Sequence, residues 1–268
     1  MKKSIVVSVS DTKFSALAFK ENFSESIANI ASLGFDTVEL AIRNPDEINK
    51  KEIKKLLSKY DLPVCAVGTG QAYLADGLSF TNPDHSIRAK AVQLIKNHMT
   101  FADEIGHAQI IIGLIRGRVE DNTTFEIVEK YFIECMQECA NYNRDIILAV
   151  EAINRYETNL YNNLMATKTV IDKIGRQNVK ILIDTFHMNI EETDIIKSIM
   201  QVKDYISHVH IADSNRWAPG CGHINFIEIL NALKGINYNG ALSAEILPEP
   251  SPVESAMLTI KYFNDLGI

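Results

Sequence analysis

The chain has 268 residues, of which 46% are hydrophobic and 23% are charged. These proportions are ordinary for a globular protein and exclude the disordered, collagen-like and coiled-coil classes. Lysine and arginine total 27 against 34 aspartate and glutamate, so the formal net charge is −7. Because nucleic-acid binders usually present a basic face to phosphate groups, we expect no nucleic-acid partner.

The sequence predicts neither a signal peptide nor a membrane-spanning helix. The apolar stretch before Asp11 is too short for the hydrophobic region of a signal peptide. No run approaches the ~18 apolar residues of a membrane-spanning helix. Four cysteines are few for so long a chain, which is typical of a reducing compartment. We therefore expect a cytoplasmic protein with no membrane partner.

Eight apolar, β-branched runs predict strands, and amphipathic segments lie between them. The predicted strands are 4–8, 37–42, 63–68, 109–115, 146–151, 179–184, 206–212 and 241–246. Several are continuously hydrophobic, as parallel strands covered on both faces are. About 33 residues per strand-plus-helix unit, in a chain near ~250 residues, is typical of a (β/α)8 barrel. We predict an α/β fold, a (β/α)8 TIM barrel forming a single domain over 1–268, with a doubly wound open sheet as the alternative.

Three helix starts are predicted from capping residues that precede proline. Asn44, Asn82 and Ser251 are each followed directly by a proline. Asparagine and serine are good N-caps, and proline is favoured at the first helical position. We expect a helix to begin at each of these three sites.

Four potential metal ligands stand at the ends of the last four predicted strands: Glu151, Asp184, His210 and Glu245. In a parallel barrel these ends meet at one mouth, where active sites lie. Three unpaired carboxylates would repel one another at low dielectric, and a divalent cation would remove that repulsion. Carboxylates with one imidazole suit Mn²⁺, with Co²⁺ or Mg²⁺ as alternatives. His208 shares a strand face with His210, and we expect it in the barrel interior, behind the ligands.

The segments around these four residues resemble a known family. NRYET after Glu151, DTFHMN at Asp184 and DSNRWAPGCG after His210 resemble the ketose 3-epimerase branch of the xylose isomerase-like TIM barrel superfamily, and the resemblance spans nearly the whole chain. VGTGQAYLADG, IIIGLIRGR and SNRWAPGCGH are similar to segments of the 5-keto-L-gluconate epimerases.

The resemblance implies an isomerase that inverts C3 of a ketose or keto sugar acid through a cis-enediolate. The expected pair is 5-keto-L-gluconate and D-tagaturonate. Neutral ketohexoses such as D-psicose and D-tagatose are the alternative substrates, and an aldose-ketose isomerase is an alternative activity. An apurinic endonuclease of the same superfamily fits less well, because it would need a basic DNA groove. We also expect a homo-oligomer.

Inverting a carbon next to a ketone requires two bases, one on each face. The resemblance implies that Glu151 and Glu245 are this catalytic pair and that both also bind the metal, together with Asp184 and His210. It further implies substrate contacts from Glu157, His187 and Arg216.

Two arginines follow the fourth predicted strand, and they bear on the charge of the substrate. Arg116 and Arg118 lie in the segment RGR. A guanidinium suits bidentate recognition of a carboxylate, which a neutral hexulose would not need. We expect one of the two to bind a substrate carboxylate, although the sequence does not distinguish which. The alternative, that both are ordinary solvated loop arginines, stays open.

Overall fold

The computed structural model describes residues 1–12 and 14–268. Within these residues, eight parallel strands close into a barrel in chain order, and the first strand pairs with the last. The strands are β1 (Lys2–Ser8), β2 (Thr37–Ala41), β3 (Val64–Gly68), β4 (Gln109–Ile112), β5 (Leu148–Glu151), β6 (Val179–Asp184), β7 (Ile206–Ile211) and β8 (Ala241–Ala244). The predicted TIM barrel is confirmed, and the open-sheet alternative is wrong.

Helices surround the barrel and cover its outer face. They are α1 (Phe23–Leu33), α2 (Lys50–Lys59), α3 (Gln71–Asp76), α4 (His85–Glu104), α5 (Phe125–Tyr142), α6 (Leu164–Ile174), α7 (Thr185–Glu191), α8 (Ile195–Gln201), α9 (Phe226–Gly235) and α10 (Pro252–Asp265). Their apolar stripes pack on the continuously buried strands, as the hydrophobic spacing requires. None of the described helices combines the length and apolar character needed to cross a bilayer.

The strand register brings the functional ends of the last strands to one level. Asp184 at the end of β6 pairs with His210 of β7. His210 in turn pairs with Ser243 of β8, two residues before Glu245. Side chains alternate along a strand, so His208 and His210 share the interior face. The register therefore stacks polar side chains in the barrel interior beneath one mouth.

All eight predicted strands are present, and the largest difference in their ends concerns β4. The predicted run 109–115 stops at Ile112, because the backbone enters a 3-10 turn, Leu114–Arg116, directly after Gly113. Because of this turn, the side chain of Arg116 points into the protein and is buried there.

One of the three predicted helix starts is confirmed. The Ser251 side chain accepts the backbone N–H of Glu254 in the first turn of α10, as an N-cap does. The predicted caps Asn44 and Asn82 are wrong, because each side chain accepts the N–H two residues further on and forms a turn. The helices α2 and α4 begin later, behind other capping side chains.

Candidate active site

A pocket opens among the loops that follow the carboxyl ends of the strands. Its lining includes three of the predicted ligands and three of the residues expected to contact substrate: Glu151, His210, Glu245, Glu157, His187 and Arg216. Asp184, the fourth predicted ligand, is fully buried. The pocket therefore brings together residues from four consecutive strand ends, as the barrel topology predicts.

The four predicted ligands face one another around a common point. Nδ1 of His210 lies 3.7 Å from each of three oxygens, Oε1 of Glu151, Oδ2 of Asp184 and Oε2 of Glu245. One ligand atom from each residue lies within 4.8 Å of the other three. Nδ1 of His210, Oε1 of Glu151 and Oδ2 of Asp184 are buried without a hydrogen-bond partner among the described residues. Such unpaired atoms are costly, and a divalent cation between them would satisfy all of them, so the donor set fits a metal.

The Asp184 carboxylate uses its two oxygens differently. Oδ1 accepts the backbone N–H groups of Phe186 and His187 and caps the first turn of α7. Oδ2 faces His210 and has no hydrogen-bond partner in the described structure. Because the cap fixes the rotation of the carboxyl group, it keeps Oδ2 aimed at the ligand cluster.

The two glutamates of the cluster have unequal pKa values. Burial raises the pKa of Glu245 to about 7, although Arg216 and His210 oppose this shift. Burial acts on Glu151 in the same direction, but the imidazoles of His187 and His210 outweigh it and hold its pKa well below the ordinary value. In the protein without a bound cation, Glu151 is therefore ionised near neutral pH, whereas Glu245 exchanges a proton readily. Such a difference suits an acid–base pair.

His187 is held against Glu151 by the loop that follows β5. Its Nε2 lies 3.4 Å from Oε1 of Glu151. The amide nitrogen of Asn154 lies 2.7 Å from Nδ1 of His187 and donates to Oε1 of Glu157 at 3.2 Å. An amide nitrogen only donates, so Nδ1 of His187 is the acceptor of its hydrogen bond with Asn154.

Arg216 reaches the cluster from a loop that Asp213 organises. The Asp213 carboxylate accepts three backbone N–H groups of this loop, at 2.7, 2.9 and 3.1 Å. A side chain at Gly222 would bring a Cβ to 2.3 Å from Oδ1 of Asp213, so the close turn requires glycine. Arg216 itself adopts a left-handed backbone with φ of 60°. Its guanidinium donates to Oε2 of Glu245 and lies 4.7 Å from the ring centre of Phe186.

The structure places Arg116 and Arg118, one of which was expected to bind a substrate carboxylate, outside the lining of the pocket. Arg116 is 0% exposed, and its guanidinium donates to the backbone carbonyls of Ile112, Gly113 and Leu160 at 3.3, 3.1 and 3.4 Å. The 3-10 turn after β4 directs this side chain into the protein, where it ties the end of β4 to the loop after β5. Arg118 is exposed on the surface, 3.8 Å from Glu120. Neither arginine lines the pocket.

Glu39 in β2 is a polar residue that the sequence reasoning missed. Its side chain is buried in the barrel interior, with Oε2 2.8 Å from Nε2 of His208 and both oxygens 3.1 Å from Nε2 of His210. His208 therefore lies behind the ligand cluster, where it was expected. A lone carboxylate within the apolar strand TVELA is the signal that could have pointed to Glu39.

Comparison with known proteins identifies the family of this barrel. The xylose isomerase-like TIM barrel family matches residues 27–263. An L-ribulose 3-epimerase of Methylomonas sp. (strain DH-1) is 31% identical over 229 residues, which cover 82% of this chain and 77% of that protein. A 3-dehydro-D-guloside 4-epimerase of Escherichia coli (strain K12) is 26% identical over 232 residues, covering 83% of this chain and 86% of its own.

Solved structures agree with these sequence matches. The crystal structure of a D-allulose 3-epimerase from Methylomonas sp. has a TM-score of 0.83 and 26% identity, and the match covers 99% of this chain and 98% of that one. A second structure of that enzyme, in complex with D-allulose, has a TM-score of 0.82 and 25% identity over 98% of this chain and 97% of its own. The chain therefore belongs to the xylose isomerase-like TIM barrel family and is an isomerase of its ketose 3-epimerase branch.

Proposed function

We propose that the protein inverts C3 of a ketose or keto sugar acid, with Glu151 and Glu245 as bases on opposite faces of that carbon. One observation carries the proposal. The two glutamates line one pocket from strand ends three positions apart around the barrel, and an oxygen of each lies 3.7 Å from Nδ1 of His210. Bases that approach one point from different directions suit a reaction that removes a proton on one face and returns one on the other.

The unequal pKa values of the two glutamates support this division of roles. Glu151, ionised near neutral pH, takes the C3 proton of one epimer. Glu245, whose pKa lies at about 7, delivers a proton to the opposite face. In the reverse direction the roles exchange. After each turnover both side chains return to their starting protonation by exchange with solvent.

Asp184 and His210 complete the proposed metal site and transfer no proton. When bound, a divalent cation stabilises the negative charge that develops on the substrate oxygens beside C3. We propose Mn²⁺, with Co²⁺ or Mg²⁺ as alternatives, because three carboxylates and one imidazole form an oxygen-rich, mixed ligand set. Glu157, His187 and Arg216 orient the substrate, since each places a polar side chain on the pocket wall.

For the substrate we propose the pair 5-keto-L-gluconate and D-tagaturonate. This proposal rests on the similarity of VGTGQAYLADG and SNRWAPGCGH to segments of the enzymes that interconvert the two keto acids.

Neutral ketoses are the second candidate, and a specific observation favours them. Among the described residues, Arg216 is the only lysine or arginine that lines the pocket, and its guanidinium is already bonded to Glu245. A substrate carboxylate would therefore share Arg216 or bind through neutral donors.

The test is a substrate panel assayed with Mn²⁺ and read by NMR, which assigns the products. The panel contains 5-keto-L-gluconate, D-tagaturonate, D-psicose, D-tagatose, D-fructose and L-ribulose. We expect epimers at the carbon beside the ketone, with the largest kcat/KM for the two keto acids. A larger kcat/KM for the neutral sugars would establish the second candidate, and aldose products would contradict epimerisation. Glu151→Gln, purified in the same way, controls for contaminating enzymes.

A further inference from the structure

We infer that Glu39 is a positioning residue, which holds the proton of His210 on Nε2 and thereby aims the lone pair of Nδ1 at the three carboxylates. This inference rests on the proposed metal site and assigns a role to a side chain outside it. Glu39 lies in β2, on the opposite side of the His210 ring from the carboxylates, and it is 1% exposed.

The first step concerns protons. Both oxygens of Glu39 lie 3.1 Å from Nε2 of His210, and Oε2 lies 2.8 Å from Nε2 of His208. An ionised carboxylate only accepts hydrogen bonds, so both Nε2 atoms must carry a proton.

The second step follows from the imidazole ring. A neutral imidazole with its proton on Nε2 has a bare lone pair on Nδ1. Nδ1 of His210 is the atom that faces Glu151, Asp184 and Glu245 at 3.7 Å. The other tautomer would turn a lone pair on Nε2 against the carboxylate of Glu39, which is repulsive. Glu39 therefore selects the tautomer that can bind a cation, and its charge makes Nδ1 a stronger donor.

The third step explains why Glu39 cannot swing away. His208 contacts the same carboxylate, and its ring stands nearly perpendicular to that of His210, at 79° with 5.4 Å between ring centres. Glu39 is thus buried and held by two imidazole donors, so its position is set before any ligand binds.

Two substitutions separate charge from shape. Glu39→Gln keeps the shape of the side chain but removes its negative charge. The NH₂ group that replaces one oxygen cannot accept a hydrogen bond from an imidazole. Glu39→Met removes both acceptors. We expect the Kd for Mn²⁺, measured by isothermal titration calorimetry, to rise about 10-fold in Glu39→Gln and up to about 100-fold in Glu39→Met, the range found when outer partners of metal ligands are removed. Ser243→Ala is the matched control, since Ser243 pairs with His210 across β7 and β8 and its hydroxyl makes no hydrogen bond within the described structure; its Kd should stay within about twofold of wild type.

The outcomes distinguish this inference from the proposed metal site. If the wild-type protein binds no Mn²⁺, the metal site is wrong. If the wild type binds Mn²⁺ and both Glu39 variants bind it equally well, the role of Glu39 is wrong.

A second measurement needs no variant and so holds even if the Glu39 variants fail to fold. In ¹⁵N-histidine-labelled wild type loaded with Zn²⁺, which is diamagnetic, the long-range ¹H–¹⁵N spectrum should show His210 with a proton on Nε2 and a metal-bound Nδ1. A proton on Nδ1, or metal bound through Nε2, would overturn the inference.

Discussion

The guanidinium of Arg216 donates to Oε2 of Glu245, and the same guanidinium lies 3.8 Å from Oδ2 of Asp184. The positive charge therefore sits beside the one carboxyl group of the cluster whose pKa burial raises to about 7. Without that charge, only His210 would oppose the effect of burial and the neighbouring carboxylates on the pKa of Glu245. Arg216 thus sets the pH at which Glu245 can act as a base.

For the epimer whose C3 proton Glu245 removes, Arg216→Met should move the acidic limb of the pH profile of kcat/KM to higher pH. Arg216 lowers the pKa of Glu245, so its loss raises that pKa, and a base with a higher pKa is deprotonated only at higher pH. The measurement is kcat/KM between pH 5 and about 9. Arg118→Met is the control, because Arg118 lies on the surface beside Glu120. An unshifted limb in Arg216→Met would show that Arg216 does not tune Glu245.

Arg116→Met should lower stability and reduce kcat/KM by the same factor for keto acids and neutral ketoses. The substitution removes the guanidinium hydrogen bonds to three buried carbonyls, at a cost of about 1–3 kcal/mol for each group left unsatisfied. The carbonyl of Gly113 keeps the backbone N–H of residue 116 as a partner. Thermal unfolding and kcat/KM on both substrate types measure the two effects. A loss of kcat/KM confined to the keto acids would show that Arg116 takes part in substrate recognition.

Most of the fold could be predicted from the sequence, because hydrophobic runs and their spacing reflect burial, which the barrel imposes on every strand. The four ligand positions followed from the same logic, since strand ends meet at one mouth. The direction of Arg116 could not be predicted, because it depends on the 3-10 turn after Gly113 rather than on composition. The helix caps predicted at Asn44 and Asn82 were wrong because asparagine followed by proline stabilises a turn as well as a helix start.

Glu39 was missed for a different reason. Its neighbours in sequence are apolar, and its partners His208 and His210 lie on β7, far along the chain. Only the closed barrel brings side chains of β2 and β7 into contact in its interior. A buried carboxylate whose partners come from a distant strand has no local signature beyond its unusual position in an apolar run.

His98 should make the free energy of unfolding depend on pH between about 3 and 6.5, and substitution of His98 should remove this dependence. Burial in α4 lowers the pKa of His98 to about 3 from an ordinary 6.5, against a smaller opposing effect of the Arg43 backbone. Between these values the unfolded chain binds a proton and the folded chain does not, so stability falls as pH falls. The slope approaches about 1.4 kcal/mol per pH unit.

Urea unfolding of wild type and His98→Phe at pH 7, 6 and 5 tests this expectation. The free energy of unfolding of the wild type should fall more steeply towards low pH than that of the variant. Parallel curves would show that His98 takes up its proton in the folded protein as readily as in the unfolded chain.

Removal of divalent cations with EDTA should abolish activity, and Mn²⁺ or Co²⁺ should restore it better than Ca²⁺. The imidazole of His210 among three carboxylates favours transition metals, whereas Ca²⁺ prefers six to eight oxygen ligands. The measurement is activity after dialysis, with metal content determined by elemental analysis. Full activity in protein verified as metal-free would refute the metal site.

The most direct test of the two-base mechanism is deuterium exchange at C3 in D₂O, followed by NMR from each epimer separately. Wild type should place deuterium at C3 of the product. Glu151→Gln and Glu245→Gln, with metal content verified, should each lose epimerisation by at least about 10²-fold. Each variant should still exchange the C3 proton of one epimer without inversion, and the two variants should act on opposite epimers. Exchange from the same epimer in both variants, or activity within about tenfold of wild type, a barrier change of only ~1.4 kcal/mol, would contradict the account.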